Sequence, residues 1–423
     1  MERLSFGQGS FSCILNEHSL HSEQYLDNGF FFDFFGLWMS FEKEEKSMAE
    51  KISSYRFGVG KYFQEKEVLS HLREELRGFS DKALVISGKK AMEALEEQNF
   101  RKRLKDAGVS FREELYEGYP TKEQLEYFAN LARKEERGVI VGIGGGKIMD
   151  LSKAVANQAG LPILLIPTIA ATCAAFSPLS VLYTEEGKYD KAIHFDREVD
   201  VVLVDEAIMA TQAPRFLAAG MVDAMAKYVE ISHGVKSLER GKVNLQKYLA
   251  YQMAEELFTV LEEEGAEACR ELREAGENNR QALSKEEMKL GSALQDCVFC
   301  NIALTGIVSG MMQGRGQAAL GHVLYNLLRT SFTEEARGFL HGEIVGVGLR
   351  LQALYNQNED LEERVTKFMK ERGMPITLQE LGIPNQPEAK DSILSALLRN
   401  SLVEDSEEGR ERLKRGFHRI WKY

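Results

Sequence analysis

Residues 139–150 read Val139-Ile140-Val141-Gly142-Ile143-Gly144-Gly145-Gly146-Lys147-Ile148-Met149-Asp150. An apolar run rich in β-branched residues meets three consecutive glycines and continues into a helical pattern. Glycine lets a backbone turn sharply and approach a ligand closely. A helix start adds free N–H groups and the positive end of a dipole, which suits a phosphate. A tight strand-to-helix turn alone does not call for three glycines in a row. The spacing is neither the two-interval dinucleotide fingerprint nor the ATPase loop, which needs Ser or Thr after Gly-Lys. The loop is therefore a candidate phosphate cradle of its own type, with Gly144, Gly145, Gly146, Lys147 and Asp150 as candidate contacts.

Outward from this loop, short apolar runs alternate with helical segments. Strands are expected at 83–87 (ALVIS), 109–116, 138–142 and 163–167, and further ones at 180–183, 191–195 and 199–204. Helices are expected over 91–107, closed by Gly108, and from Thr121 to about 136, where Glu123 and Gln124 mark a first turn. Crossover helices of this length between strands imply a mostly parallel sheet. After Asp205 the apolar spacing turns helical: a long charged stretch at 239–289, an almost uncharged segment at 297–313 and charged helices over 355–423. The expected organisation is an α/β domain over 48–206 followed by an all-helical domain over 207–423. Residues 1–47, without helical or strand period and ending in a charged run, are expected to be a poorly ordered extension.

The chain has 423 residues, 44% hydrophobic and 28% charged, with 53 Lys+Arg against 65 Asp+Glu and a net charge of −12. That composition excludes whole-chain disorder, and the acidic balance argues against nucleic-acid binding. Five scattered cysteines do not make a disulfide framework, and Cys297-x-x-Cys300 reads as two reduced thiols of a buried helix. A reducing cytoplasm is the expected compartment. Residues 29–39 (GFFFDFFGLWM) are too short to span a bilayer, which takes about 20 residues. Residues 161–184 lack charge but are broken by Pro162, Pro167 and Pro178, so a buried strand and a ligand loop are expected there, and no membrane partner.

In the helical half, Asp223, His322 and His341 each stand among apolar or small residues. A carboxylate is costly to bury without a cation. One carboxylate and two imidazoles can give three ligands to Zn²⁺ and leave a fourth position for substrate. Spacing alone leaves the alternative of hydrogen-bonded core histidines open.

Four segments carry a resemblance: GIGGGKIMDLSKAVA (142–156), PTIAATCAAFSPLSVLYT (167–184), AAGMVDAMAKYVE (218–230) and HGEIVGVG (341–348). In this order they resemble the iron-containing alcohol dehydrogenase superfamily, in its glycerol-dehydrogenase-like branch, over roughly residues 50–360. The resemblance implies a dehydroquinate-synthase-like fold with the active site between a dinucleotide-binding domain and a helical domain. It implies that Gly144, Gly145 and Gly146 cradle the pyrophosphate of NAD or NADP, and that Thr168, Thr172, Ser177, Leu179 and Tyr183 line the cofactor. It also implies that Asp223, His322 and His341 hold the metal at the catalytic centre and that the protein is a homo-oligomer acting on a small molecule.

Departures from the family pattern refine the expectation. Lys227 stands where iron-type members have a histidine, which favours Zn²⁺ over Fe²⁺. Cys173 stands at the substrate position where glycerol dehydrogenases have an aspartate, and a thiol is a weak hydrogen-bonding group. The TCAA form resembles hydroxycarboxylate dehydrogenases, so reduction of 2-oxo acids is expected, with Lys227 or Arg315 meeting the substrate. The alternative is a polyol dehydrogenase; a lyase-type cyclase of the dehydroquinate-synthase kind and a non-catalytic binding protein are further rivals. Ser87-Gly88-Lys89-Lys90 lacks the acid that binds a ribose 2′-hydroxyl, and Lys89 would attract a 2′-phosphate, so NADP(H) is the expected cofactor.

Overall fold

The computed structural model describes residues 57–232, 240–241, 243–280, 291–312 and 319–421. The extension expected at 1–47, the apolar run at 29–39 and Arg315 lie outside the described residues. Six strands form one parallel sheet in the order β1-β8-β5-β4-β2-β3. They are β1 (Lys61–Glu65), β2 (Lys82–Ser87), β3 (Ser110–Leu115), β4 (Val139–Gly144), β5 (Ile163–Pro167) and β8 (Val201–Asp205). The remaining two, β6 (Leu179–Tyr183) and β7 (Tyr189–His194), pair as an antiparallel hairpin.

Strand periodicity explains the layers. Val85, Val139, Val141, Ile143, Leu164, Ile166 and Leu203 point to one face, into a core closed by the helices Leu72–Arg77, Lys89–Glu96 and Phe100–Asp106. Their neighbours Leu84, Ile86, Ile140, Leu165, Val202 and Val204 point to the other. There they join a core that runs without a break through Phe128 and Met149 into the helical half at Leu257 and Phe417. Each sheet face thus buries alternate residues, and the central strands read as unbroken apolar runs because both faces are covered.

Two differences from the sequence reading have local causes. The helix expected over 91–107 is two helices, because Asn99 adopts a left-handed φ of 59° between Glu96 and Phe100. The edge strand β1 was not anticipated: KYFQE is only half-buried and lacks a run of β-branched residues. Elsewhere in the sheet half the expected strand boundaries shift by two residues at most, whereas the segment expected from 297 already begins at Ser292 and the long charged helix begins at Leu245. Thr121 caps the helix Lys122–Lys134 by accepting from the Gln124 amide at 3.3 Å.

Past β8 the described chain is helical. Pro214–Ile231 packs on Leu245–Arg280 and on His341–Tyr355, which in turn packs on Leu320–Ser331. Ser292–Met312 is long and apolar enough to cross a membrane by length and composition, but about two thirds of it is buried in the protein core. A π-helical segment, Cys300–Leu304, interrupts it. Cys297 and Cys300 are buried free thiols.

Candidate active site

Chain direction reverses across the sheet between β2 and β4: β2 leads outward to β3, whereas β4 leads the other way to β5. Ligands of open α/β sheets bind at the carboxyl ends of strands at such a switch point. The glycine loop lies there. Gly144 ends β4 with φ +155°, and a Cβ on it would stand 2.9 Å from Ile148. A Cβ on Gly145 would stand 2.9 Å from the Ile169 side chain, and one on Gly146 would stand 3.2 Å from Thr172 Oγ1. Bare backbone therefore faces the loop after β5, and the helix Gly146–Ala159 begins with its amides directed at that space. This cradle fits the pyrophosphate of a dinucleotide.

The loop after β5 is pinned by buried amides. The Thr168 amide donates to the Gly144 carbonyl at 3.0 Å. Gln212 accepts from the Ala170 amide at 2.9 Å, and Asn301, in the π-helical segment, donates to the Ala170 carbonyl at 2.8 Å. Gly220 is required beneath it, since a Cβ there would fall 2.0 Å from the same carbonyl. Thr172 Oγ1 accepts from the Ala174 amide at 3.3 Å. Lys153 donates to the carbonyls of Ser177 and Leu179 and lies 3.2 Å from the Asp150 carboxylate. Asp150 is thus paired with Lys153 one turn further along its own helix. Tyr183 meets Tyr325 hydroxyl to hydroxyl at 3.1 Å. Lys89 is exposed at the first turn of the helix after β2.

The helical half brings Asp223, His322 and His341 together. One donor atom from each lies within 4.8 Å of the other two. The two Nε2 atoms are 3.4 Å apart, and Asp223 Oδ1 is 3.1 Å from that of His341 and 3.6 Å from that of His322. The close approach depends on glycine. A Cβ on Gly342 would stand 1.8 Å from the Ala219 carbonyl, so the His341 helix can touch the Asp223 helix only with glycine there. Glu343 fixes the start of that helix: it accepts from the Leu340 amide at 2.8 Å and forms a two-point pair with Arg215 at 2.6 and 2.7 Å. Tyr325 packs edge-on against His341, ring centres 4.1 Å apart.

Glu230 was not singled out from the sequence. It lies seven residues after Asp223, on the same helix face, and is 1% exposed. Its carboxylate bonds His322 Nδ1 and pairs with Lys227 Nζ at 3.2 Å. This turns His322 Nε2 toward Asp223 and His341, as outer carboxylates do for metal-ligating histidines. Burial opposes a charged His322 ring, but Glu230 and Asp223 push its pKa up to about 9. Burial likewise opposes the Asp223 carboxylate, yet His341 and His322 hold it far below the usual range. A buried acid and two imidazole nitrogens converging on one point form a donor set that fits a divalent cation of the zinc type. Both imidazoles keep 27% of their side-chain surface exposed, leaving a path for a further ligand. Cys173 adjoins this cluster: burial and the Asp223 charge push its thiol up to about 11, against the opposing influence of Lys227 and Lys153.

A family profile described as iron-containing alcohol dehydrogenase matches residues 60–206. A glycerol dehydrogenase of Thermotoga maritima is 34% identical over 327 residues, 77% of this chain and 84% of that protein. Hydroxycarboxylate dehydrogenase A of Escherichia coli K12 is 31% identical over 291 residues, 67% of this chain and 74% of that protein. Among solved structures, a probable glycerol dehydrogenase from Sinorhizobium meliloti 1021 superposes with a TM-score of 0.71 at 24% identity, covering 87% of this chain and 99% of that one, which shows the fold. The ordered motifs, the parallel sheet with its helical half and the 34% match to the Thermotoga maritima protein together place the chain in the iron-containing alcohol dehydrogenase superfamily, in its glycerol-dehydrogenase-like branch, as a metal-dependent NAD(P) alcohol dehydrogenase.

Proposed function

We propose that this enzyme oxidises a small vicinal polyol, glycerol being the simplest, to the hydroxycarbonyl compound. In this reading Asp223, His322 and His341 hold a zinc ion, and NADP(H) is the preferred cofactor. The observation that carries the choice of substrate is the pairing of the cations beside Cys173. Lys227 and Lys153, the two ammonium groups that act on its thiol, each lie 3.2 Å from a carboxylate, Glu230 and Asp150. Neither is held in reserve for the carboxylate of a 2-oxo acid, and a neutral substrate suits such a site better. The longer and higher match to a glycerol dehydrogenase than to the hydroxycarboxylate enzyme supports the same choice, in place of the 2-oxo acid expected from the TCAA form.

The chemistry supplied by the bound groups is polarisation of the carbon–oxygen bond and acceptance of a hydride. This chain's residues do the rest. The amides of the glycine loop bind the dinucleotide phosphates, and the absence of side chains at Gly145 and Gly146 lets the Ile169–Thr172 loop pack close beside them. Lys89 and Lys90, at the carboxyl end of β2, favour a 2′-phosphate. Glu230 fixes the orientation of His322, and Tyr325 shields one edge of His341. Cys173 lines the substrate side without placing a second carboxylate beside Asp223. The protein acts as a soluble cytoplasmic homo-oligomer on small molecules alone, with no nucleic-acid or membrane partner.

Rates of glycerol oxidation and of 2-oxobutyrate reduction, each with NAD(H) and NADP(H), test this reading. Glycerol turnover with NADP+ ahead of NAD+ is expected. Turnover of 2-oxobutyrate alone would return the enzyme to the hydroxycarboxylate reading.

A further inference from the structure

Arg329 is 6% exposed, yet no carboxylate pairs with it among the described residues. Its Nη1 donates to the Ala336 carbonyl and its Nη2 to the Tyr119 hydroxyl, each at 3.3 Å. Its Nε is buried and has no hydrogen-bond partner. A second cation lies against the same tyrosine: Lys147 Nζ is 3.6 Å from the centre of the Tyr119 ring. Lys147 directly follows the glycine triplet, and it too lacks a carboxylate partner among the described residues. Lys147 is exposed; partial desolvation of its ammonium lowers its pKa, the Tyr119 hydroxyl opposes that, and the neighbouring Arg329 adds to it. A buried guanidinium with no carboxylate, beside a ring that also carries the exposed Lys147 ammonium, is unfavourable unless an anion joins the two cations.

The location identifies the anion. Arg329 stands on the helix Leu320–Ser331 with His322 and Tyr325, at intervals that put the three on one face. It lies two turns from His322, about 10 Å along the axis. A dinucleotide spans that distance, whereas a three-carbon substrate at His322 does not. We propose that Arg329, supplied by the helical half, closes over the glycine loop and, with Lys147, neutralises the cofactor's pyrophosphate. The sheet half offers backbone amides and one ammonium. The helical half adds a guanidinium whose planar fork matches phosphate oxygens. Cofactor binding then draws the two halves together, and Arg329 acts as a positioning residue that reads the phosphates and touches no reacting atom.

The inference rests on the dehydrogenase reading and can be tested apart from turnover. ADP carries the diphosphate and no nicotinamide, so its binding, measured by calorimetry, isolates this contact. Loss of a charge-assisted bond to phosphate predicts that Arg329→Gln weakens ADP and NADPH by roughly 10- to 100-fold and leaves adenosine binding unchanged. Arg329→Lys, which keeps the charge and spares the fold, should fall between. If Arg329 only ties its helix to Ala336 and Tyr119, the Gln variant will melt earlier but bind ADP as the wild type does, and the inference is overturned. ADP affinity unchanged in the Lys variant as well would overturn it even if the Gln variant does not fold. Failure of the wild type to bind either nucleotide would instead overturn the dehydrogenase reading, and this inference with it.

Discussion

Replacing Glu230 by glutamine puts the metal-site account at risk at a residue that donates no ligand to it. The carboxylate is 1% exposed and serves two neighbours: it bonds His322 Nδ1 and lies 3.2 Å from Lys227 Nζ. Glutamine keeps the shape and removes the charge. Two separable losses follow. His322 loses the partner that fixes its ring and raises its basicity, and loss of an outer carboxylate of this kind costs roughly 10- to 100-fold in metal affinity, or about 1.4–2.7 kcal/mol. Lys227, 8% exposed, loses its carboxylate, and breaking a buried pair costs about 3–5 kcal/mol of stability. Adding Lys227→Met to Glu230→Gln should therefore restore much of the thermal stability and none of the metal affinity. Competition with a chromophoric chelator gives the first quantity, and unfolding of the metal-free protein gives the second. Unaltered metal affinity in Glu230→Gln would refute the claim that this carboxylate orients a ligand. Recovery of metal affinity in the double variant would show that the loss came from the stranded lysine.

Gly342→Ala should cost about 1–3 kcal/mol or more in thermal unfolding and release the metal, because its Cβ would meet the Ala219 carbonyl at 1.8 Å; a stable variant with full metal content would contradict the packing described. Cys173→Asp places a strong acceptor on the substrate side, and a hydrogen bond to a charged group should raise kcat/KM for glycerol by about tenfold. A fall in that ratio would show that the added charge beside Asp223 outweighs the bond. Lys89→Glu should shift the cofactor ratio toward NAD+, read from kcat/KM with each nucleotide; an unchanged ratio would remove Lys89 from the ribose site. Burial pushes the Cys300 thiol up to about 12 and that of Cys297 higher still. Neither should react with iodoacetamide in the folded protein at pH 8, and rapid labelling there would contradict their burial.

Much of the sheet half was legible because its strands are buried on both faces, so VIVGIG and ILLIP read as continuous apolar runs bounded by glycine and proline. β1 escaped because an edge strand buries too little to leave that signature. The break at Asn99 escaped because helical apolar spacing continues across it through Leu95, Phe100 and Leu104. The glycine loop announced itself locally, since its chemistry sits in consecutive residues. Asp223, His322 and His341 stand up to 118 residues apart, and only family resemblance linked them before the fold placed their donor atoms within 4.8 Å. Glu230 left a faint trace, an acid one further helical face-repeat after Asp223, which reads equally well as a solvated charge. The pairing of Arg329 with Tyr119, 210 residues away, left none, because nothing local records a contact made across two halves of a molecule.

The most direct test of the account measures zinc stoichiometry alongside NADPH formation from glycerol, in the wild type and in Asp223→Asn. The wild type should carry one zinc per chain and turn over glycerol, and the variant should lose both in parallel. Full turnover by a zinc-free variant would contradict it.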